Sequence, residues 1–295
     1  MKADSISLGT PEVHSFFEPI THTVTHVIVD PATKKCAILD SVMDFEPNSA
    51  RVSFQSADRV VEYIKANEWE VEWLLESHVH ADHLSAAPYI QSILGGQLAI
   101  GAPIKEVQKT FGEVFNLDTE FDLSVGKFDR LFKGGDQFQI GGIEATVIHT
   151  PGHTPADMTY HIGDAAFVGD TLFMPDFGTA RCDFPGGSAS RLYESIQKIF
   201  ELPGETRLFM CHDYLPEGRN EFEWETTVDK EKRENIHVGE SKSESSFIEM
   251  REKRDAQLGM PRLIVPAIQV NIRGGRLPES EENDTIYLKV PINKF

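Results

Sequence analysis

His78-Val79-His80-Ala81-Asp82-His83 sets three imidazoles and one carboxylate within six residues. Divalent metals of borderline or hard character take these ligands. A lone histidine is usually an ordinary core or surface residue; four such groups in one short turn point to a metal site. The preceding run, 71–76 (Val-Glu-Trp-Leu-Leu-Glu), reads as a strand. After it, Ala86, Ile90, Ile93 and Leu94 share one helical face, with Ser85 as the expected N-cap and Pro88 in the first turn, where a missing N–H breaks no helical bond; Gly95-Gly96 ends the helix. The turn therefore sits between a strand end and a helix, where α/β proteins place their sites.

Outward from the turn the same grammar repeats. Toward the N-terminus, 23–30 and 36–39 read as two strands joined by a turn at 31–35, and His22 and His26 read as hairpin residues without a ligand role. Ala57, Val60, Val61 and Ile64 follow a helical period, with Ser56 as the expected N-cap. Toward the C-terminus, 97–101 is a short strand, and 103–130 shows no clear period. Gly134-Gly135 and Gly141-Gly142 bracket a strand, and 143–149 is another, running into the rigid turn Thr150-Pro151-Gly152-His153-Thr154-Pro155. Residues 165–169 form a buried strand ending at Asp170. A helix carries Leu192, Ile196, Ile199 and Phe200 inward and stops at Pro203-Gly204; 207–211 is a strand ending at His212-Asp213-Tyr214. His83, His153, Asp170 and His212 thus all fall at or just after strand ends. Strands alternating with helices argue an α/β layered fold with helices outside.

Beyond about residue 215 the composition shifts. Residues 217–246 are rich in charge, with Trp224 and Val228 suggesting a weakly amphipathic helix. Ser246 with Glu249 suggests a capping box for a helix through Leu258. Apolar runs return at 262–272 and 286–292 and need burial on the parent domain or on a second subunit, so a homo-oligomer is expected. The expected organisation is a catalytic domain over 1–215 and a C-terminal extension over 216–295 packed on it.

The composition, 40% hydrophobic and 25% charged, is that of an ordinary globular chain, and 295 residues suffice for a sizeable core. A net charge of −19 argues against nucleic acid or an anionic membrane as partner. Three cysteines, an odd number without a Cys-x-x-Cys pair, do not make a disulfide framework. With no apolar leader run and no apolar stretch of ~20 residues, a cytoplasmic protein is expected.

The set His78-x-His80-x-Asp82-His83, Gly152-His153, Gly169-Asp170 and His212 resembles the metallo-β-lactamase superfamily, over residues 78–212. The resemblance implies an α/β fold, the αββα four-layer sandwich, with a C-terminal helical and extended addition. Thr150-Pro151-Gly152-His153-Thr154-Pro155, Gly169-Asp170-Thr171-Leu172, Arg181-Cys182-Asp183-Phe184, His212-Asp213-Tyr214 and the tail run from Val265 to Gly274 are similar to the persulfide dioxygenase (sulfur dioxygenase) branch. Cys182, where that branch's mitochondrial members would have Thr, and the longer C-terminal region depart from the pattern. The resemblance implies one Fe(II) per chain on His78, His153 and Asp170, a 2-His-1-carboxylate set that leaves three positions open. The implied reaction takes glutathione persulfide, O2 and water to glutathione and sulfite, so the implied partners are a small thiol persulfide and O2. His80, Asp82, His83, His212 and Asp183 then stand around the site or at a second metal. Arg181 is read either as a donor to substrate or as a salt-bridge partner of Asp183, and Tyr214 either as a donor to substrate or as a core tyrosine.

The same ligands suit a glyoxalase II-like thioester hydrolase with two metals, often zinc: His78, His80 and His153 on one, Asp82, His83 and His212 on the other, Asp170 between them. Only the flanking residues, Arg181-Cys182-Asp183-Phe184 above all, favour the dioxygenase. A non-catalytic metal-binding or sulfur-sensing protein would show lost ligands, and none is lost.

Overall fold

The hairpin lies inside the first of two large sheets. The computed structural model describes residues 9–117, 128–240 and 242–294. β1 (Glu12–Glu18), β2 (Thr23–Asp30) and β3 (Lys35–Leu39) run antiparallel in series. β4 (Val42–Glu46) and β5 (Arg51–Ser53) make a side ribbon, followed by α1 (Gln55–Asn67). β6 (Glu70–Leu75) then joins β3 in parallel. β7 (Leu84–Ser85) pairs with β4 and α2 (Ala87–Leu94) follows. β8 (Gln97–Gly101), α3 (Ile104–Val114) and β9 (Arg130–Phe132) complete a sheet of order β1-β2-β3-β6-β8-β9. The second sheet runs in chain order: β10 (Gln137–Ile140), β11 (Ile143–His149), β12 (Met158–Ile162), β13 (Ala165–Phe167), β14 (Arg207–Phe209) and β15 (Glu225–Thr227). Its one parallel pair is β13 with β14, joined through α4 (Ala189–Phe200). α5 (Val228–Glu234), α6 (Glu244–Asp255) and α7 (Ile264–Asn271) follow.

β2 shows why the layers stack as they do. All eight of its residues are buried, as in a strand covered on both faces. Successive side chains point to opposite faces. Val27 and Val29 pack with Val60, Ile64 and Ile90 of α1 and α2, while Ile28 packs with Ile143, Tyr160 and Phe167 of the second sheet. The outer face of that sheet, through Ala166 and Leu208, packs on Leu192 and Ile196 of α4, Val228 of α5 and Phe247 of α6. The result is the expected αββα sandwich. The run 262–272 is buried within it: Leu263, Ala267 and Val270 enter the core under α1 and α2, while Ile264, Ile268 and Ile272 pack with Ile104, Val107 and Phe111 of α3. Ile286, Tyr287, Val290 and Ile292 of the second apolar run are exposed instead.

Local expectations shift at helix ends. Phe54, not Ser56, precedes α1; the Ser56 N–H and hydroxyl both donate to Asp44, 2.9 and 2.6 Å away. Ala86 rather than Ser85 is the N-cap of α2, although Ser85 Oγ accepts from Ala87 N at 3.1 Å. Ser243, not Ser246, caps α6, accepting from Ser246 N, and that helix ends at Asp255, short of Leu258. Trp224 lies before β15 rather than in a helix, because its carbonyl accepts from Met210 N and continues the sheet. The segment without clear period holds α3, whose inward side chains Ile104, Val107 and Phe111 are diluted by intervening charges; its residues 118–127 lie outside those described.

Candidate metal centre

Strand ends bring the site together at one edge of the two sheets. β6 delivers 76–83, β11 leads to His153, β13 to Asp170 and β14 to His212. A bridge between Thr23 and His212 ties the first sheet to the second at this edge. Two glycines allow the approach. Gly169 has φ +52°, and a Cβ there would lie 2.8 Å from Ser77 Cβ, so only glycine lets Asp170 come up beside His78. Gly152, at φ +152°, sits where a Cβ would run into the Leu192 backbone at the start of α4.

The sequence-selected residues fall into two adjoining groups. The ligand atoms of His78, His153 and Asp170 lie within 4.8 Å of one another, as do those of His80, Asp82, His83 and His212. Asp170 joins the groups: its Oδ2 is 3.8 Å from His78 Nε2 and 3.7 Å from His153 Nε2, and its Oδ1 is 3.4 Å from His212 Nε2. Asp82 Oδ2 is 3.2 Å from His212 Nε2.

Each imidazole is held from behind. His153 Nδ1 donates to the Arg181 carbonyl at 2.8 Å, and His212 Nδ1 to the His22 carbonyl at 3.2 Å. Ser77 Oγ bonds His78 Nδ1 at 2.9 Å, and Thr23 Oγ1 lies 3.4 Å from His83 Nδ1. His80 Nε2 donates to Asp40 Oδ1 at 3.0 Å. The inward atoms are left over. His78 Nε2, His80 Nδ1, His83 Nε2, His212 Nε2, Asp82 Oδ2 and Asp170 Oδ1 are buried without a hydrogen-bond partner. Orphaned buried polar atoms are costly, and six of them distributed over the two adjoining groups, each ring fixed by its far nitrogen, is an arrangement that bound metal would satisfy. The residues fit a metal centre.

Electrostatics separates the histidines. Burial and the surrounding imidazoles hold His78 well below the usual histidine range, and burial with the neighbouring His80 lowers His83 to about 4. These rings are neutral and able to ligate. Burial would also lower His80, but Asp40 and Glu76, whose Oε2 is 3.4 Å away, outweigh it and raise His80 well above its ordinary value. Burial would raise Asp40, yet His80 and Ser77 bring it down to about 2.

A cavity of about 260 Å3 opens onto this edge, with His153, Asp170 and Asp82 in its wall. Its other walls include Phe173, Phe177, Phe184 and Tyr214. Tyr214 stacks on His212 with ring centres 5.6 Å apart, and its hydroxyl makes no hydrogen bond to a described residue. Of the two readings of Arg181, the salt bridge is present: Nε and Nη2 each lie 2.6 Å from an Asp183 oxygen, and Nη1 donates to the Gly259 carbonyl at 2.7 Å. The guanidinium also lies 5.3 Å from the Phe184 ring centre. Asp40 and Glu76 are site residues that sequence reasoning missed. A signal existed: Asp40 directly follows β3, the parallel neighbour of β6, just as Glu76 directly follows β6. All three cysteines are buried and free, and among the described residues no helix is long and apolar enough to cross a membrane.

Comparison with known proteins matches residues 19–212 to the family described as the Metallo-beta-lactamase superfamily. A probable metallo-hydrolase of Burkholderia pseudomallei is 49% identical over 95% of this chain and 99% of its own. Glyoxylase B2 of Dictyostelium discoideum is 47% identical over 96% and 97%. The human mitochondrial persulfide dioxygenase ETHE1 is 27% identical over 68% of each chain. Among solved structures, ETHE1 from Myxococcus xanthus superposes with a TM-score of 0.72 at 27% identity, over 90% of this chain and all of the other.

Proposed function

The chain belongs to the metallo-β-lactamase superfamily, and we propose that within it the protein is a persulfide dioxygenase holding one Fe(II) on His78, His153 and Asp170. The observation that carries this reading is that the ligand atoms of these three residues form one group, with His153 and Asp170 lining the cavity. His80 holds its Nε2 on Asp40 and Glu76. Fe(II) held by His78, His153 and Asp170 would supply the activation of O2. Similarity to the ETHE1 structure over the whole of that chain supports the same branch.

The chain's own residues supply the rest. The Arg181 carbonyl fixes the tautomer and tilt of His153. The Arg181 side chain braces Asp183 and Gly259, holding the rim of the cavity. Tyr214 has a hydroxyl proton to offer a sulfur or oxygen in the cavity, and Phe173, Phe177 and Phe184 keep bulk water from it. Arg254 also lines the cavity and makes no ion pair with a described residue, so it is available to a carboxylate. An anionic thiol persulfide such as glutathione persulfide suits these walls, with O2 and water giving glutathione and sulfite.

A second reading rests on a specific observation. Asp82 Oδ2, His83 Nε2 and His212 Nε2 are also orphaned, which suits a second metal and a thioester hydrolase; the names of the Burkholderia and Dictyostelium relatives accord with it. One experiment decides. Protein of known metal content is given glutathione persulfide in an oxygen electrode and, separately, S-lactoylglutathione. Oxygen uptake with sulfite release and negligible thioester cleavage is expected. Rapid thioester hydrolysis without oxygen uptake, on protein with two metals per chain, overturns the dioxygenase reading.

A further inference from the structure

The metal-binding turn has no backbone support of its own. Among the described residues, no backbone–backbone hydrogen bond is made by residues 78–83. Its carbonyls are met instead by a side chain nearly two hundred residues away. Asn271 Nδ2 donates to the His80 carbonyl at 2.9 Å and to the His83 carbonyl at 2.8 Å, and Asn271 Oδ1 accepts from Ser85 N at 2.9 Å. The carboxamide thereby spends both donors on the turn and its acceptor on Ser85 of β7 just beyond it, and it is buried. A buried amide satisfied in this way has one low-energy pose. It is also rigidly mounted. Asn271 is the last residue of α7, whose neighbouring side chains enter two separate cores, and the following Ile272 carbonyl is held by Gln108 Nε2 at 2.9 Å.

We infer that Asn271 is a positioning residue for the metal centre: by gripping the loop at His80 and His83 it sets where their inward nitrogens point. It touches no orphaned ligand atom itself, and His78 and His153 keep anchors of their own at Nδ1. On the two-metal reading His80 and His83 are themselves ligands; on the one-iron reading the grip acts through the same turn, which also carries His78. Partners that orient ligands typically govern metal affinity by about 10–100-fold.

The test uses full-length protein stripped with a chelator and titrated with Co(II), whose d–d absorption reports ligand geometry. Asn271→Ser, read at a temperature where it is folded, is expected to bind Co(II) at least about tenfold more weakly, with a shifted d–d band. Asn271→Asp keeps the size and the acceptor but loses both donors; it is expected to show the same loss and serves if the serine variant does not fold. Gln108→Ala loosens the same C-terminal segment without touching the loop, and is expected to lower the apo unfolding temperature while leaving Co(II) affinity and spectrum as in wild type. Unchanged affinity and spectrum in the Asn271 variants would overturn the inference. So would an equal loss in Gln108→Ala, since any slackening of the tail would then suffice.

Discussion

His80 turns its Nε2 onto Asp40, 3.0 Å away, and leaves Nδ1 buried without a partner toward the cluster of imidazoles. Asp40 follows β3 and His80 lies in the turn after β6, its parallel neighbour, so the pair is a product of sheet order. Asp40 also accepts from Ser77 N at 2.7 Å and thus holds both ends of the bend that carries His78. Asp40→Asn should weaken metal binding by about 10–100-fold while the fold persists. Chelator competition checks the affinity and circular dichroism the fold; an unchanged affinity would show that His80 is not oriented through Asp40.

His153→Ala should remove most of the bound metal, since it deletes one of three ligands proposed for the iron. Asp82→Ala should cost only about 10–100-fold in affinity if Asp82 stands outside that set. Metal analysis of the two purified variants separates these outcomes. Loss of one of two metals in Asp82→Ala would place a second ion at His83 and His212 and favour the hydrolase.

Arg181→Ala should leave metal content unchanged, because the carbonyl and not the side chain holds His153. It should raise the substrate concentration needed for half-maximal turnover, since the Asp183 and Gly259 braces of the rim are lost. Steady-state kinetics beside iron analysis tests this, and a variant that loses its iron would make the side chain a structural support of the centre.

His26 supplies a pH signature of its own. Burial lowers it from 6.5 to about 4, against the opposing pull of the Met210 carbonyl that its Nε2 meets at 2.9 Å. The unfolded chain therefore binds the proton more readily between those values. The stabilisation from His26 staying neutral is complete above about pH 6.5 and is lost as pH falls toward 4, about 3 kcal/mol over the whole window. His26→Gln should be less stable than wild type at pH 7 and should lose less stability between pH 7 and 5. Urea unfolding at the two pH values measures this, and parallel slopes would contradict it.

The exposed Ile286, Tyr287, Val290 and Ile292 predict self-association through the last residues. Light scattering at micromolar concentration should give a dimer or larger, and Val290→Asp should reduce it to a monomer. A monomeric wild-type protein would leave these side chains simply solvated.

The ligand types and their order were legible in the chain itself. Histidine and aspartate clustering is a chemical signal that needs no fold, and alternating strands and helices announced the layers that bring His78, His153, Asp170 and His212 to one edge. Gly152 and Gly169 likewise stood beside their ligands in sequence. What only the tertiary structure decided is the second circle of contacts. Asp40 reaches His80 across a parallel strand pair, the His22 carbonyl reaches His212 across two sheets, and Asn271 reaches the loop from the far end of the chain. The caps of α1 and α2 moved for a related reason: Asp44 claims Ser56 and Glu76 claims the Ser85 hydroxyl. Periodicity and spacing report a residue's own neighbours along the chain. A hydrogen bond between residues 184 or 191 positions apart, such as His26 to Met210 or Asn271 to His80, has no local pattern and exists only once the sheets have packed.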